Sequence, residues 1–202
     1  MSENQIIIMV KKPIAGQVKT RLMPTLTAEA AVSLSEKMFL LILEVVSQLD
    51  ADCHVFCYPD CDHPVFRECA KHYSITLHQQ KGHDLGSRLA GAFKKCLRIS
   101  PHCLAIGADC PAMESSYLNQ GLTHLSASAD VVLGPAEDGG YVLIGMNKFF
   151  PALFEGIPWG TDNVLNITRK RLIESQLTHA ELSTLWDVDN ADDLSRLKSL
   201  NF

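Results

Sequence analysis

The chain has 202 residues, 47% of them hydrophobic and 20% charged, with a formal net charge of -5 at pH 7. That length suits one domain, 1–202, with a substantial core, and the mixture excludes intrinsic disorder, a collagen-like repeat and a coiled coil. The acidic balance argues against general nucleic-acid binding, which needs a basic surface.

No apolar stretch reaches the roughly 18 residues of a membrane helix; Met38–Val46 is the best run, and Glu44 breaks it. The apolar run Ile6–Val10 comes before Lys11 and Lys12 rather than after them, which is not the order of a signal peptide, so a cytoplasmic protein is expected. Seven cysteines, an odd number, favour reduced thiols over a disulfide framework. Cys53, Cys57 and Cys61 read C-x3-C-x3-C, one residue longer than a radical-SAM cluster motif. Cys53, Val55 and Cys57 instead share one face of a strand, where Cys acts as a small hydrophobe.

Gln5–Val10 is a β-branched first strand, and Pro13–Pro24, with two prolines and Gly16, is a loop. Thr27 caps a helix to about Leu49, whose apolar positions step by three and four. Strand Asp52–Tyr58, helix Pro64–His72, strand Ser74–His78 and helix Leu85–Leu97 follow. His102–Ala108 is apolar almost throughout, the pattern of a strand buried on both faces. After helix Ser115–Ser126, strands Asp130–Leu133 and Tyr141–Met146 flank a turn over Pro135–Gly140. Thr161 is read as the cap of a helix to about Ser175, Leu177–Leu185 is extended, and Asn190 starts a last helix with Asp193 in capping-box position. Alternating strands and helices predict an α/β fold, three layers α/β/α around a mostly parallel sheet.

The charges are segregated. No acid lies between Asn4 and Ala28, where Lys11, Lys12, Lys19 and Arg21 cluster. No Lys or Arg lies between Pro101 and Asn147, a stretch holding Asp109, Glu137 and Asp138; Leu172–Ser195 likewise holds acids only, among them Asp187, Asp189, Asp192 and Asp193. Ligands of parallel α/β sheets bind beyond the carboxyl ends of the strands. Strand one therefore delivers cations to that edge and strand four delivers Asp109. Such a mixture suits a phosphate ester with a divalent cation, Mg²⁺ or Mn²⁺, which takes hard oxygen ligands. Taken singly, each patch also reads as solvated surface.

The motifs carry the same ambiguity. Lys11-x-Pro13-x-x-Gly16-x-Val18-Lys19-Thr20-Arg21-Leu22 is not a Walker A loop, yet a chain turning at Gly16 with Lys19 and Arg21 beyond can wrap a diphosphate. Asp109, emerging from a buried strand before Cys110-Pro111, is a metal ligand or a helix cap. Asp138-Gly139-Gly140 is a ligand-approach site or a hairpin turn. Gly82-x-Asp84-Leu85-Gly86-x-Arg88 opens a helix, where Gly86 and Arg88 can meet an anion or Asp84 can simply cap. Asp187 and Asp189, two apart on an extended segment, share a face.

In combination and in this order, these motifs, with Leu153-Phe154-x-x-Ile157-Pro158-Trp159, resemble a bacterial family of GT-A-type transferases. The family comprises the radical-SAM/selenodomain-associated, arsenosugar-biosynthesis-type glycosyltransferases and is distantly similar to nucleotidyltransferases of cofactor synthesis. The resemblance spans nearly the whole chain and implies a GT-A, nucleotide-diphospho-sugar-transferase-like fold. It implies that Lys19 and Arg21, in the loop with Lys11, Gly16 and Thr20, meet the nucleotide phosphates, that Asp109 holds the cation, and that Asp138, Gly139 and Gly140 face sugar or acceptor. From their own placement, Gly86 and Arg88 at the helix start join the phosphate candidates, Asp187 or Asp189 is the candidate second metal ligand, and Trp159 falls in the candidate acceptor pocket. Ala15, Ser87, Gly160 and Asn190 depart from the family pattern, all at loop or cap positions.

Three functions compete. In a metal-dependent glycosyltransferase, Asp138 would take the proton of a small-molecule acceptor while Lys19 and Arg21 meet the departing diphosphate. In a nucleotidyltransferase a phosphorylated small molecule would attack an NTP and release pyrophosphate, with Lys19 and Arg21 stabilising the transition state. The third is a non-catalytic nucleotide-sugar-binding protein, since a fold does not name a reaction.

Overall fold

The structure, a computed structural model, describes residues 2–198; the single-domain expectation over 1–202 therefore reaches past the described residues at both ends. Among the described residues seven strands form one sheet in the order β3-β2-β1-β4-β6-β5-β7. They are β1 (Asn4–Lys11), β2 (Asp52–Tyr58), β3 (Ile75–Gln79), β4 (His102–Gly107), β5 (Val131–Pro135), β6 (Tyr141–Met146) and β7 (His179–Glu181). β6 pairs antiparallel with β4 and β5, and every other pair is parallel.

Alternation along the strands divides the core in two. Ile6, Ile8 and Val10 of β1 and Leu104 and Ile106 of β4 pack on one face with α1 (Ala28–Ser47), α2 (Pro64–His72) and α4 (Ser115–Ser126). Ile7, Cys103 and Ala105 face the other way, against α3 (Leu85–Cys96) and α5 (Val164–Glu174). Two helical layers on a mostly parallel sheet is the expected architecture. Cys53, Val55 and Cys57 lie in the first of these clusters, as strand alternation requires, and all seven cysteines are free. Among the described residues no helix is long and apolar enough to cross a membrane.

Local signals account for most boundaries. The Thr27 side chain accepts from the backbone N–H of Ala30 at the head of α1. Asn190 and Asp193 exchange side-chain and backbone hydrogen bonds at the head of α6 (Ala191–Lys198), the predicted capping box. One expectation needs correction. α5 begins at Val164 after Asn163, not at Thr161, whose hydroxyl donates to the Pro158 carbonyl and so closes a turn instead. The extended Leu177–Leu185 pairs with β5 as β7 over His179–Glu181, and beyond it the N–H groups of Leu182 and Leu185 donate to the Leu133 and Pro135 carbonyls.

Candidate functional site

β1 and β4 lie side by side with Met9 opposite Gly107, so the loop after Lys11 and the segment Ala108–Asp109 leave the sheet together. Between them opens a cleft of about 190 Å³ lined by Lys11, Lys19, Thr20, Arg21, Asp109 and Asp189, among others. The loop's pattern explains how it presents its cations. Val18 and Leu22 are buried, and a 3-10 turn over Thr20–Leu22 follows Lys19. Lys19, at φ 49 in the left-handed region, is thereby aimed back into the cleft. A non-glycine residue there carries about 1–3 kcal/mol of strain, so its surroundings must hold it.

They do. Lys19 Nζ lies 2.6 Å from Asp109 Oδ1 and donates to the Val188 carbonyl at 2.7 Å. The lysine side chain is 7% exposed against 53% for Asp109. Val188 is buried, and its N–H donates to the Asp109 carbonyl at 3.0 Å, tying the C-terminal segment to the end of β4. With Trp186 and Val188 both buried, Asp187 and Asp189 fall on the opposite side of the segment, the shared face that their spacing predicts. Asp189 pairs with Arg21. The Asp187 carboxyl is pushed up to about 6, chiefly by burial and then by the neighbouring Asp138, with Asp109 and Asp189 adding to it. Four acids from three segments thus share one negative field.

Asp138 itself is exposed and accepts the Gly140 N–H at 2.8 Å in the turn between β5 and β6. Lys11 Nζ donates to the Gln17 carbonyl at 2.5 Å across the turn that Gly16 makes at φ 77. The remaining predicted residues lie elsewhere. A Cβ on Gly86 would meet Trp159 Nε1 at 2.3 Å, so this glycine admits the indole ring. The Arg88 guanidinium stacks 3.7 Å over the Tyr58 ring, and its Nε donates to the Gly82 carbonyl at 3.0 Å. Neither Gly86 nor Arg88 lines the cleft of Lys19.

The donor chemistry fits a hard divalent cation: Asp109, Asp187 and the Val188 carbonyl offer oxygen atoms in an acid-rich field. Yet among the described residues no three His, Cys, Asp or Glu side chains converge as a ready cage. Asp109 and Asp189 are engaged by Lys19 and Arg21 instead.

Sequence reasoning missed the Val188 carbonyl, which no side-chain pattern can reveal. It also missed Gln80, buried just past β3, whose Nε2 donates to the carbonyls of Val10 at 3.1 Å and Phe56 at 2.7 Å. An isolated Gln carries no periodic signal.

The sheet order with its antiparallel β6 is that of a GT-A-like fold, shared with the solved structures that follow. The chain belongs to the family described as "Uncharacterized protein conserved in bacteria (DUF2064)", which it matches over residues 41–161. A crystal structure from Desulfovibrio desulfuricans G20, provisionally described as a nucleotide-diphospho-sugar transferase, is 33% identical with a TM-score of 0.90, covering 100% of this chain and 88% of that one. The 4-diphosphocytidyl-2C-methyl-D-erythritol synthase of Anaerococcus prevotii DSM 20548 shares the fold at 10% identity, with a TM-score of 0.64, over 98% of this chain and 95% of that one. So does a CMP:2-keto-3-deoxy-manno-octonic acid synthetase complexed with CTP, at 11% identity, with a TM-score of 0.62, over 98% of each chain. No curated protein matches the chain.

Proposed function

We propose that this protein is a divalent-cation-dependent transferase that moves a sugar from a nucleotide-sugar donor to a small-molecule acceptor, as in the arsenosugar-biosynthesis-type group that its motifs resemble. The observation that carries this reading is the Lys19–Asp109 pair at the mouth of β1 and β4. It sets a phosphate-binding cation and a metal-binding carboxylate where an α/β sheet receives its ligand. The description of the Desulfovibrio protein agrees with it.

Lys19 and Arg21, with Lys11, Thr20 and the turn at Gly16, meet the diphosphate. Asp109 and Asp187 hold Mg²⁺ or Mn²⁺, and Asp189 stands beside them. When bound, the cation supplies Lewis-acid neutralisation of the leaving diphosphate. Asp138, exposed and close enough to Asp187 to raise its carboxyl, accepts the acceptor's proton, and Gly139, Gly140 and Trp159 shape that side. Gly86 acts on the acceptor side by seating Trp159, and Arg88 braces Tyr58 at the end of β2.

Nucleotidyl transfer is the second reading, favoured by the CTP complex and the cytidylyl chemistry named for two proteins of this fold. Against it stands the strand-one loop, which has one glycine, Gly16, where such enzymes commonly have a glycine-rich G-x-G run.

Thermal denaturation with nucleotides, with and without Mg²⁺ or Mn²⁺, separates them, because a ligand of the native state raises apparent stability by mass action. Stabilisation by a nucleoside diphosphate or nucleotide sugar only with metal is the expected outcome, lost in Asp109→Asn. Stabilisation by a triphosphate alone, with pyrophosphate released to a phosphorylated acceptor, moves the assignment to nucleotidyl transfer. Silence with every nucleotide in the presence of metal overturns both.

A further inference from the structure

We infer that the Lys19 ammonium stands, in the unliganded protein, in the place a divalent cation takes during turnover, so that the cation alone is kept out and enters coupled to the phosphates. This rests on the cation-using reading above and adds to it an order of events.

The ammonium has the surroundings of a bound cation. Two oxygens, Asp109 Oδ1 at 2.6 Å and the Val188 carbonyl at 2.7 Å, hold it, and its side chain is 7% exposed. Those two oxygens belong to segments already locked together by the Val188 N–H to Asp109 carbonyl bond. The receiving oxygens are therefore fixed, and the ammonium reaches them from a third segment, the loop after β1. A second positive charge cannot share Asp109 Oδ1 with the ammonium without strong repulsion at these distances.

The same loop neutralises a second acid, since Arg21 pairs with Asp189. Thr20 alone separates the two basic residues, and the buried Val18 and Leu22 anchor them. Small side-chain excursions are thus enough to release both carboxylates, with no opening of the core. What draws the side chains away is an anion better placed than the carboxylates. A diphosphate offers charge-assisted partners to Lys19 and Arg21 together. Phosphate arrival then frees Asp109 for the cation, and cation arrival frees Lys19 for phosphate. Such coupling is reciprocal: each ligand raises the affinity of the other by the same factor. One consequence is protection against metal held without substrate.

The test is Mn²⁺ binding, followed by electron paramagnetic resonance with no nucleotide present, to wild type, Lys19→Met, Lys19→Gln and Lys11→Met. Lys11 is the control for net charge, since it lines the same cleft but donates to the Gln17 carbonyl rather than to an acid. Both Lys19 variants are expected to bind Mn²⁺ about ten-fold more tightly than wild type, an ordinary size for coupling between sites, while Lys11→Met stays near wild type. Equal Mn²⁺ affinity in wild type and the Lys19 variants overturns this inference and leaves the cation-using reading intact. An equal gain in Lys11→Met also overturns it, as a general charge effect. No Mn²⁺ binding by any of the four overturns both. A wild-type measurement guards against variants that fail to fold: the ¹⁵Nζ resonance of the protected Lys19 ammonium is expected to vanish on saturation with Mg²⁺. Its persistence at saturation overturns the inference.

Discussion

Gly139 and Gly16 show how two glycines of one site serve different ends. Gly139, at φ 87, sits where a Cβ would lie 2.1 Å from the Asp162 carbonyl oxygen. Its own carbonyl accepts the Leu165 N–H at 2.9 Å. The close approach this glycine permits is therefore to the protein's own backbone, and it fixes the turn that carries Asp138. Gly16, at φ 77, has open space where its Cβ would be. Gly16→Ala is expected to cost only the left-handed backbone penalty, about 1 kcal/mol. Gly139→Ala adds a collision with rigid backbone and is expected to cost about 3 kcal/mol, in the upper range for single substitutions. Urea midpoints of the two variants check the ordering, and equal losses would show that the Asp162 segment yields freely.

Strand pairing builds a polar chain that depends on register. β1, β2 and β3 set Gln5, His54 and His78 in line: His54 Nε2 lies 2.5 Å from Gln5 Oε1, and His54 Nδ1 lies 3.0 Å from His78 Nε2. Lys95 Nζ of α3 closes the row, 2.8 Å from His78 Nδ1. With a charged lysine donating to Nδ1, both imidazoles are neutral, each carrying its proton on Nε2, a tautomer assigned from the network. Burial, and then Lys95 and His54, push His78 down to about 4. His54 is lowered too, by burial above all, against a raising influence from Asp52. The folded state thus resists protonation that the unfolded chain accepts near pH 6.5. Stability from these groups is present above that pH and is lost as the pH falls toward about 4. Urea midpoints measured across that window should decline with acidity, and His78→Leu should flatten the decline. An unchanged slope in that variant would assign the acid sensitivity to other groups.

Elements of this kind were mostly legible in the sequence because their signals are local. Thr27, Pro64 and the Asn190–Asp193 pair mark helix starts by their own chemistry, and the alternation of Asp52–Tyr58 marks a strand. Legibility failed where a partner decides. Thr161 has the chemistry of a cap, but its hydroxyl is spent on Pro158. Leu177–Leu185 has extended character, but where it pairs is set by β5, which takes His179–Glu181 as a strand and then only the single N–H groups of Leu182 and Leu185. The site divides the same way. Lys19, Arg21, Asp109, Asp187 and Asp189 stand at strand ends or in an acidic segment and could be read. The contact that joins them, a lysine on a carbonyl 169 residues away, could not.

That sequence separation makes the site a property of the whole molecule. The first loop meets the C-terminal segment through a small cluster of its own, in which Leu22 and Met38 pack with Trp186, Val188, Leu194 and Leu197. Arg196 lies 4.3 Å over the Trp186 ring and also pairs with Glu137 at 2.8 Å, so the last helix reaches the β5–β6 turn as well. Trp186 is thus the mechanical link between the loop that carries Lys19 and the segment that carries Asp187 and Asp189. Truncating a buried tryptophan costs about 3–5 kcal/mol, and Trp186→Ala is expected to fall in that range in urea. It should also abolish the metal-dependent stabilisation by nucleotide, because the two halves of the site lose their common support. Trp159→Phe, made at the indole that packs on Gly86, is the comparison. It is expected to lower stability while leaving Mn²⁺ affinity unchanged. If Trp186→Ala is destabilised yet keeps its full response to nucleotide and metal, the backbone bond from Val188 to Asp109 holds the two halves together without the cluster.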